Sequence, residues 1–585
     1  MTDIELGEMQ GLRVAVQGCC HGTLHAIYDS AKKACNVRGW KTLDLLIIGG
    51  DFQAVRNAND LTVMSCPIKY RQIGDFHLYY SGARKAPYLT IFVGGNHEAS
   101  NHLWELFYGG WVAPNIYYMG AANVLRLGGI RIAGMSGIWN ENHYRRPHYE
   151  RLPYHRSDIR SIYHMREIDI RKLLQLRTQV DVAISHDWPR GIEWHGEPRA
   201  LFKMKPDFER ESKDGTLGNP ATKEVMDHLR PQFWFSAHLH CKFPALKLYS
   251  EGAEREQLNG EKNALFTPKT METALSKPGV EFQRASSAGI VHNCDEIDLD
   301  SNDEENKSTE IVQNSDEIDL NMQSDDDKPM DSMNHTIAIH IDQGKDSLKG
   351  KEKQIASVVP PNIRSQLPVA FQRPSLTTFP FQRRPSQAPP PQITNKAVRF
   401  LALDKCLPGR KFLQLLNISP HAKPSSSKKS PKSKLRLEYD PEWLSITRVF
   451  APSLVLGENS AQIPPDLGDA HYQTLIKKER TWVDENIVNA GKLQVPENFV
   501  ITAPPFRVGG PQFVQEGPSE YNNPQMQQFC DLIGIENKFF ASEAERAERF
   551  QNGPELSQNT PRVFDSFQNR RGNNVRGRRN GRKRK

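Results

Sequence analysis

Five short apolar runs between residues 12 and 240 each end in a tight polar turn, and this repeated pairing constrains the fold more than any other feature. The runs cover residues 12–16, 43–48, 88–93, 181–184 and 233–235. Their length and β-branched content predict buried strands rather than helices. They lead into Gly18-Cys19-Cys20-His21, Gly49-Gly50-Asp51, Gly94-Gly95-Asn96-His97-Glu98, Ser185-His186-Asp187 and Ala237-His238-Leu239-His240. Helical patterns at 24–37, 158–177 and 222–229 lie between the strands. Apolar alternation over 123–134, centred on Gly128-Gly129, predicts a β-hairpin. Strands alternating with helices imply an α/β unit with a buried sheet, spanning residues 11–250.

In an α/β sheet the loops at the carboxyl ends of strands converge on one crevice, where ligands bind. The residue types delivered to these loops suit metal ions. Two cations about 3.5–4 Å apart need a bridging carboxylate, neutral terminal ligands and open coordination positions. Asp51 is the natural bridge, because a carboxylate has two anionic oxygens. His21, His186, His238 and His240 are nitrogen donors, Asn96 is an amide oxygen donor, and Cys19 is a sulfur donor. Each piece alone is weak: GGD and HxH recur by chance, and a lone strand-end His is more often a satisfied core or surface group. His238 and His240, two apart, would point the same way from a strand. All five turns in order, each after an apolar run, point to a two-metal centre.

The rest of the chain is organised differently. At 585 residues it exceeds one ordinary core, yet only 38% of residues are hydrophobic and the mean hydropathy is −0.61. Part of it is therefore expected to be disordered. Residues 251–395 are rich in Ser, Asp, Glu, Asn, Gln and Pro and read as a disordered insert, acidic over 294–331 and proline-rich near its end. It carries a short repeat, Asp295-Glu296-Ile297-Asp298-Leu299 and Asp316-Glu317-Ile318-Asp319-Leu320. The repeat is either a docking peptide or drift in a low-complexity segment. Residues 396–550 regain apolar patterning and read as a smaller C-terminal domain, followed by a polar tail, 551–585, with a basic end. The net charge of +7 is strongly segregated, so the local clusters inform more than the total. No apolar run approaches the roughly 18 residues of a membrane span. The eight scattered cysteines, none in a CxxC arrangement, fit a reducing compartment.

The order of the five turns resembles the calcineurin-like metallophosphoesterases, whose pattern is D-x-H, G-D, G-N-H-[DE], H and G-H-x-H. The chain departs from it with Cys19 in place of Asp and Ala237 in place of Gly. The Cys, the GGNHE form and the surrounding sequence are similar to the RNA lariat debranching enzymes. That similarity runs through Ser65-Cys66-Pro67-Ile68-Lys69-Tyr70-Arg71, residues 75–82, Ser185-His186-Asp187-Trp188-Pro189 and Phe400-Leu401-Ala402-Leu403-Asp404-Lys405-Cys406-Leu407-Pro408. It leaves the insert and the tail unexplained, although the substrate it implies would make splicing or intron-turnover factors the candidate partners of the acidic insert. The resemblance implies a β-sandwich flanked by helices. It implies that Cys19, His21, Asp51 and His240 surround one ion, and Asp51, Asn96, His186 and His238 the other. It further implies hydrolysis of the 2′–5′ phosphodiester at the branch point of intron lariat RNA, by a metal-bound hydroxide, with His97 as general acid. Phosphate binding without proton transfer is the alternative role for His97. The thiolate of Cys19, a soft ligand, should favour Zn²⁺ or Fe²⁺ over Mg²⁺, and Mn²⁺ is the third candidate.

Residues 136–166 interleave aromatics with arginines, a composition suited to stacking on unpaired bases and meeting phosphates. The segment follows the hairpin, as the lariat-recognition loop does in the family that the chain resembles. Trp139, Tyr144, Arg145, Tyr154, Arg160, Tyr163 and His164 are its candidate RNA contacts, and Lys69, Tyr70 and Arg71 form a second patch. A solvated basic loop is the plainer reading of such a charge run. The basic tail suits RNA binding or a nuclear import signal, and the nucleus fits an enzyme acting on excised introns. Two other functions compete: a general metallophosphatase or DNA-processing nuclease of the same fold, and an RNA-binding scaffold with a relic site.

Overall fold

A computed structural model describes residues 11–249, 389–421, 435–458 and 460–554. The acidic insert with its repeat, most of the proline-rich stretch, most of the basic Ser/Lys loop and the basic tail lie outside the described residues. Two mixed sheets form the framework. The first has six strands: β1 (Leu12–Gln17), β2 (Leu45–Ile48), β3 (Thr90–Phe92), β4 (Gly110–Ala113), β5 (Ile116–Tyr118) and β12 (Leu413–Ile418), in the order β12-β1-β2-β3-β5-β4. The second has seven: β6 (Ala122–Leu127), β7 (Ile130–Met135), β8 (Val182–Ser185), β9 (Phe233–Ser236), β10 (Phe243–Leu248), β11 (Ala397–Ala402) and β13 (Leu437–Tyr439), in the order β10-β11-β9-β8-β7-β6-β13. Neighbours β1, β2, β3 and β5 run parallel, as do β7, β8, β9 and β11. The central parallel strands β2, β3 and β8 are wholly buried, as a sheet covered on both faces requires, and so they read as continuous apolar runs.

The helix Leu24–Val37 falls where its pattern predicts. It buries Leu24, Ile27, Tyr28, Ala31, Ala34 and Cys35, the spacing of one helical face. Its first turn is satisfied from a distance: the Asp75 carboxylate accepts the N–H groups of Leu24 (2.9 Å) and His25 (2.7 Å). The hairpin also forms as expected, β6 pairing with β7 from Ala122↔Met135 to Leu127↔Ile130. The helix expected over 158–177 does not form as one piece. It is two short helices, Arg156–Ile159 and Glu167–Leu173. The link between them turns inward, where Ile138 bridges His164 and the fully buried Arg166 pairs with buried Glu150. Tertiary ion pairing overrides the local helical preference there.

The segment after residue 395, set apart in the sequence as a smaller domain, has helices of its own but shares its strands with the first half. β11 sits between β9 and β10, β12 extends the first sheet beside β1, and β13 closes the second beside β6. The fold resumes ahead of 396: the Asn395 amide donates to the carbonyls of Arg230 (2.9 Å) and Pro231 (3.0 Å). A buried ion cluster secures the far side. Asp440 accepts from Arg126 Nε (2.6 Å) and from Arg131 Nε and Nη2 (both 2.9 Å), and it caps the helix Pro441–Phe450. Among the described residues no helix is long and apolar enough to cross a membrane.

Candidate metal centre

The carboxyl ends of the two sheets are laced together by hydrogen bonds. Gly94, after β3, donates to Ser136 Oγ (2.8 Å) and accepts from Gly137 N (2.8 Å), both after β7. His186 Nδ1, after β8, lies 2.9 Å from the Gly49 carbonyl after β2. The five predicted turns therefore meet in one place. They do so at a conformational cost: His21, Asp51, His238 and His240 have φ of 48°, 43°, 63° and 48°. Left-handed backbone at non-glycine residues costs about 1–3 kcal/mol each and persists only where the surroundings enforce it. Close packing explains two of the glycines. A Cβ on Gly50, itself at φ +121°, would stand 2.2 Å from His186 Nδ1, and one on Gly95 would stand 2.2 Å from Asp51 Oδ1.

Asp51 is the pivot. Its Oδ2 lies 3.7 Å from His21 Nε2, which in turn is 3.2 Å from His240 Nε2. Ligand atoms of Cys19, His21, Asp51 and His240 all lie within 4.8 Å of one another. The other oxygen, Oδ1, lies 3.4 Å from His186 Nε2. That nitrogen is 3.2 Å from Asn96 Oδ1, and the His186 and His238 rings are 4.9 Å apart. One carboxylate thus faces two donor groups, one from each oxygen.

The donor chemistry fits cations. The Gly49 carbonyl can only accept, so His186 carries a proton on Nδ1, and the neutral ring turns a lone pair on Nε2 toward Asp51 Oδ1 and Asn96 Oδ1. Three lone-pair donors converging without a hydrogen between them repel one another, and a cation removes the repulsion. Burial is the main cause that lowers the pKa of His21 to about 4, His238 to about 3 and His240 to about 2; Asp51 opposes it at each, and neighbouring imidazoles add to it. These rings are therefore neutral near pH 7, the form that ligates metal. Burial and then the charge of Asp51 push the Cys19 thiol up, and a bound cation reverses that preference by displacing the proton. Burial opposes ionisation of Asp51, but the facing imidazoles and the His97 N–H outweigh it and hold the carboxyl below the usual carboxylate range.

His97 stands beside this cluster. Its backbone N–H donates to Asp51 Oδ1 (2.9 Å), its Nδ1 meets the Ser65 carbonyl (3.0 Å), and its Nε2 is 3.1 Å from the Asn96 amide nitrogen. Glu98 escaped the sequence reading although it belongs to the same motif. Buried, it accepts the N–H groups of Phe52, Gln53 and Gly95, all at 2.8 Å, and so ties the Asp51 turn to the Asn96 turn. Burial, then Asp51, pushes its carboxyl up to about 8. The one available signal was an acid inside a turn of metal ligands.

The proposed RNA contacts divide. Tyr144, Tyr154 and His164 are buried, so their rings offer no open face for a base. Tyr154 packs with Val63 and Leu152, His164 lies 2.7 Å from His143 between Nδ1 atoms, and Tyr144 packs against Trp139 at 4.8 Å. Arg71 turns inward, donating to the carbonyls of Cys66 and Thr62 (both 3.0 Å). Arg145 is exposed, 3.7 Å from Glu167, and Lys69 is exposed over the Tyr70 ring at 4.7 Å. Trp139, Arg160 and Tyr163 are half-buried. The Tyr163 hydroxyl accepts from Ser65 Oγ (3.2 Å), which brings the 136–166 segment against the loop that holds His97.

Residues 12–242 match the family model of the calcineurin-like phosphoesterases, and residues 395–538 match that of the lariat debranching enzyme C-terminal domain. The chain is 38% identical over 527 residues to a lariat debranching enzyme of Schizosaccharomyces pombe, covering 90% of this chain and 96% of that one. It is 33% identical over 524 residues to one of Danio rerio, covering 90% and 66%. Over 235 residues it is 55% identical to one of Homo sapiens, covering 40% and 43%.

Proposed function

Since this chain belongs to the lariat debranching enzyme family, we propose that the cluster around Asp51 is where it hydrolyses the 2′–5′ phosphodiester of branched intron RNA. The observation that carries this reading is the placement of the two Asp51 oxygens, each facing its own donor group. Cys19, His21 and His240 would hold one divalent ion and Asn96, His186 and His238 the other, with Asp51 shared. Bound there, two such ions supply Lewis acidity and neutralise charge on the phosphoryl oxygens.

The protein's own groups orient the rest. Ser65 keeps Nδ1 of His97 engaged, so the second hydrogen of a protonated His97 sits on Nε2, which must then turn from the Asn96 amide it now faces at 3.1 Å toward the substrate. That atom is the donor to the departing 2′ oxygen. His97→Ala should lower turnover of branched RNA by about 10²-fold, but lower hydrolysis of bis(p-nitrophenyl) phosphate only a few-fold, because nitrophenolate leaves without a proton. Equal losses on both substrates would make His97 a phosphate ligand instead.

The purified chain, supplied in turn with Mn²⁺, Fe²⁺ or Zn²⁺, should cut a branched RNA and spare a linear one. Cleavage of linear RNA or of a simple ester with the branch left intact would point to a general phosphoesterase. The Cys19 thiolate favours Zn²⁺ or Fe²⁺ at its ion. Cys19→Asp is accordingly expected to shift the metal that gives the highest rate toward Mn²⁺ or Mg²⁺. An unchanged metal profile would make Cys19 a bystander.

A further inference from the structure

His97 takes its bearing from a backbone atom: its Nδ1 lies 3.0 Å from the Ser65 carbonyl. A carbonyl orients an imidazole only if it is itself held in place. Ser65 sits in an irregular stretch, between the short helix Ala58–Thr62 and the 3₁₀ turn Ile68–Tyr70, so neither a strand ladder nor a helix fixes it. Other groups do. Met64 and Cys66, its neighbours on either side, are buried in an apolar cluster with Val55, Leu61 and Ile73. The Arg71 guanidinium then clasps the stretch at both ends: its Nη1 donates to the Thr62 carbonyl and its Nε to the Cys66 carbonyl, both at 3.0 Å. Arg71 is anchored in turn through its backbone, which closes the 3₁₀ turn by donating to the Ile68 carbonyl (3.1 Å).

The planar fork suits this task. One rigid guanidinium spans two carbonyls at once, so the spacing of residues 62 and 66 is set by the fork rather than by the loop. We infer that Arg71 is a positioning residue: by fixing the Thr62–Cys66 loop it holds the Ser65 carbonyl where His97 can deliver its proton. This deepens the proposed function and rests on His97 as the proton donor. The composition of Lys69-Tyr70-Arg71 suggests an RNA contact instead, but the Arg71 side chain is turned to the protein's own backbone. Removing its two donors frees both carbonyls to turn, and a displacement of about 1 Å in a catalytic group is enough to cost up to about 10²-fold.

The test uses the Mn²⁺-loaded full chain, with branched RNA and bis(p-nitrophenyl) phosphate as substrates. Arg71→Met should lower kcat for branched RNA about 10-fold, leave KM and the salt dependence of kcat/KM unchanged, and lower hydrolysis of the nitrophenyl ester less than about 2-fold. In the His97→Ala background the same substitution should cost nothing further, because its effect passes through the ring that is missing. If Arg71→Met does not fold, Arg71→Lys, which keeps the charge but loses the fork, is read by kcat, KM and the His97→Ala background. A raised KM with a salt slope flattened by about 0.7–1 would make Arg71 a phosphate contact and overturn the inference. Equal losses on the two substrates, or a loss as large in the His97→Ala background as in the parent, overturn it as well, since Arg71 would then brace the fold as a whole. An unimpaired Arg71→Met beside an active parent overturns it without touching the proposed function. A parent chain that leaves branched RNA intact overturns both.

Discussion

Asp51→Asn is expected to depress cleavage of the 2′–5′ linkage by about 10⁴-fold, the largest effect of any single substitution in the site. The amide matches the carboxylate in size, and its oxygen can still accept the His97 N–H that Asp51 Oδ1 receives at 2.9 Å. The turn should therefore survive. What disappears is the pair of anionic oxygens, one facing the Cys19, His21 and His240 group and the other facing Asn96 and His186. Both half-sites lose their only carboxylate at once, so metal content measured by elemental mass spectrometry should fall together with activity. A variant that keeps both ions and stays within tenfold of the parent would remove Asp51 from its bridging role.

The second large effect is on stability. Asp440→Ala should cost about 3–5 kcal/mol, because it leaves the guanidinium groups of Arg126 and Arg131 without their shared buried carboxylate, and a further ~1 kcal/mol for the lost helix cap. Asp440 is fully buried, and the side chain of Arg131 is only 10% exposed. Burial opposes the charge on Asp440, but Arg131 and Arg126 more than compensate and hold its carboxyl well below the usual range. With a folded-state pKa below the unfolded value, its contribution is complete above about pH 4. It is lost as pH falls from there through the lower folded value. Urea titrations should show the gap between parent and variant at pH 7 narrowing toward pH 2. A gap below about 1 kcal/mol at pH 7 would mean that the cluster repays no more than its desolvation.

The candidate metal centre was legible because each of its parts is local: an apolar strand, a tight turn, a side chain able to bind metal. Convergence followed from the general behaviour of strand ends in α/β sheets. The left-handed backbone of His21, Asp51, His238 and His240 was not legible, since nothing in those side chains announces a conformation that the surrounding packing imposes. Nor were β4 and β5, short buried strands without alternation. The pairing of β12 with β1, some 400 residues apart, leaves no local trace. Composition also does not tell which side chains of the aromatic segment will be buried. An arginine that will be buried against a glutamate, or a tyrosine that will pack among apolar side chains, reads the same as one that will face solvent; Arg166 proves to be the former and Tyr154 the latter.

The position of β11 has a consequence for how the protein is made. β9 and β10 leave the ribosome first, but the strand that lies between them comes later. Roughly 150 residues separate Leu248 from Ala397, and at about 5–20 residues per second their synthesis takes on the order of 10–30 s. Throughout that interval the edge of β9 lacks its native neighbour, an open row of backbone donors and acceptors on an apolar strand. The nascent chain carries all five turns of the candidate metal centre before it can close the sheet that bears two of them. Vectorial synthesis thus leaves the candidate centre without this flanking strand until the C-terminal segment has emerged.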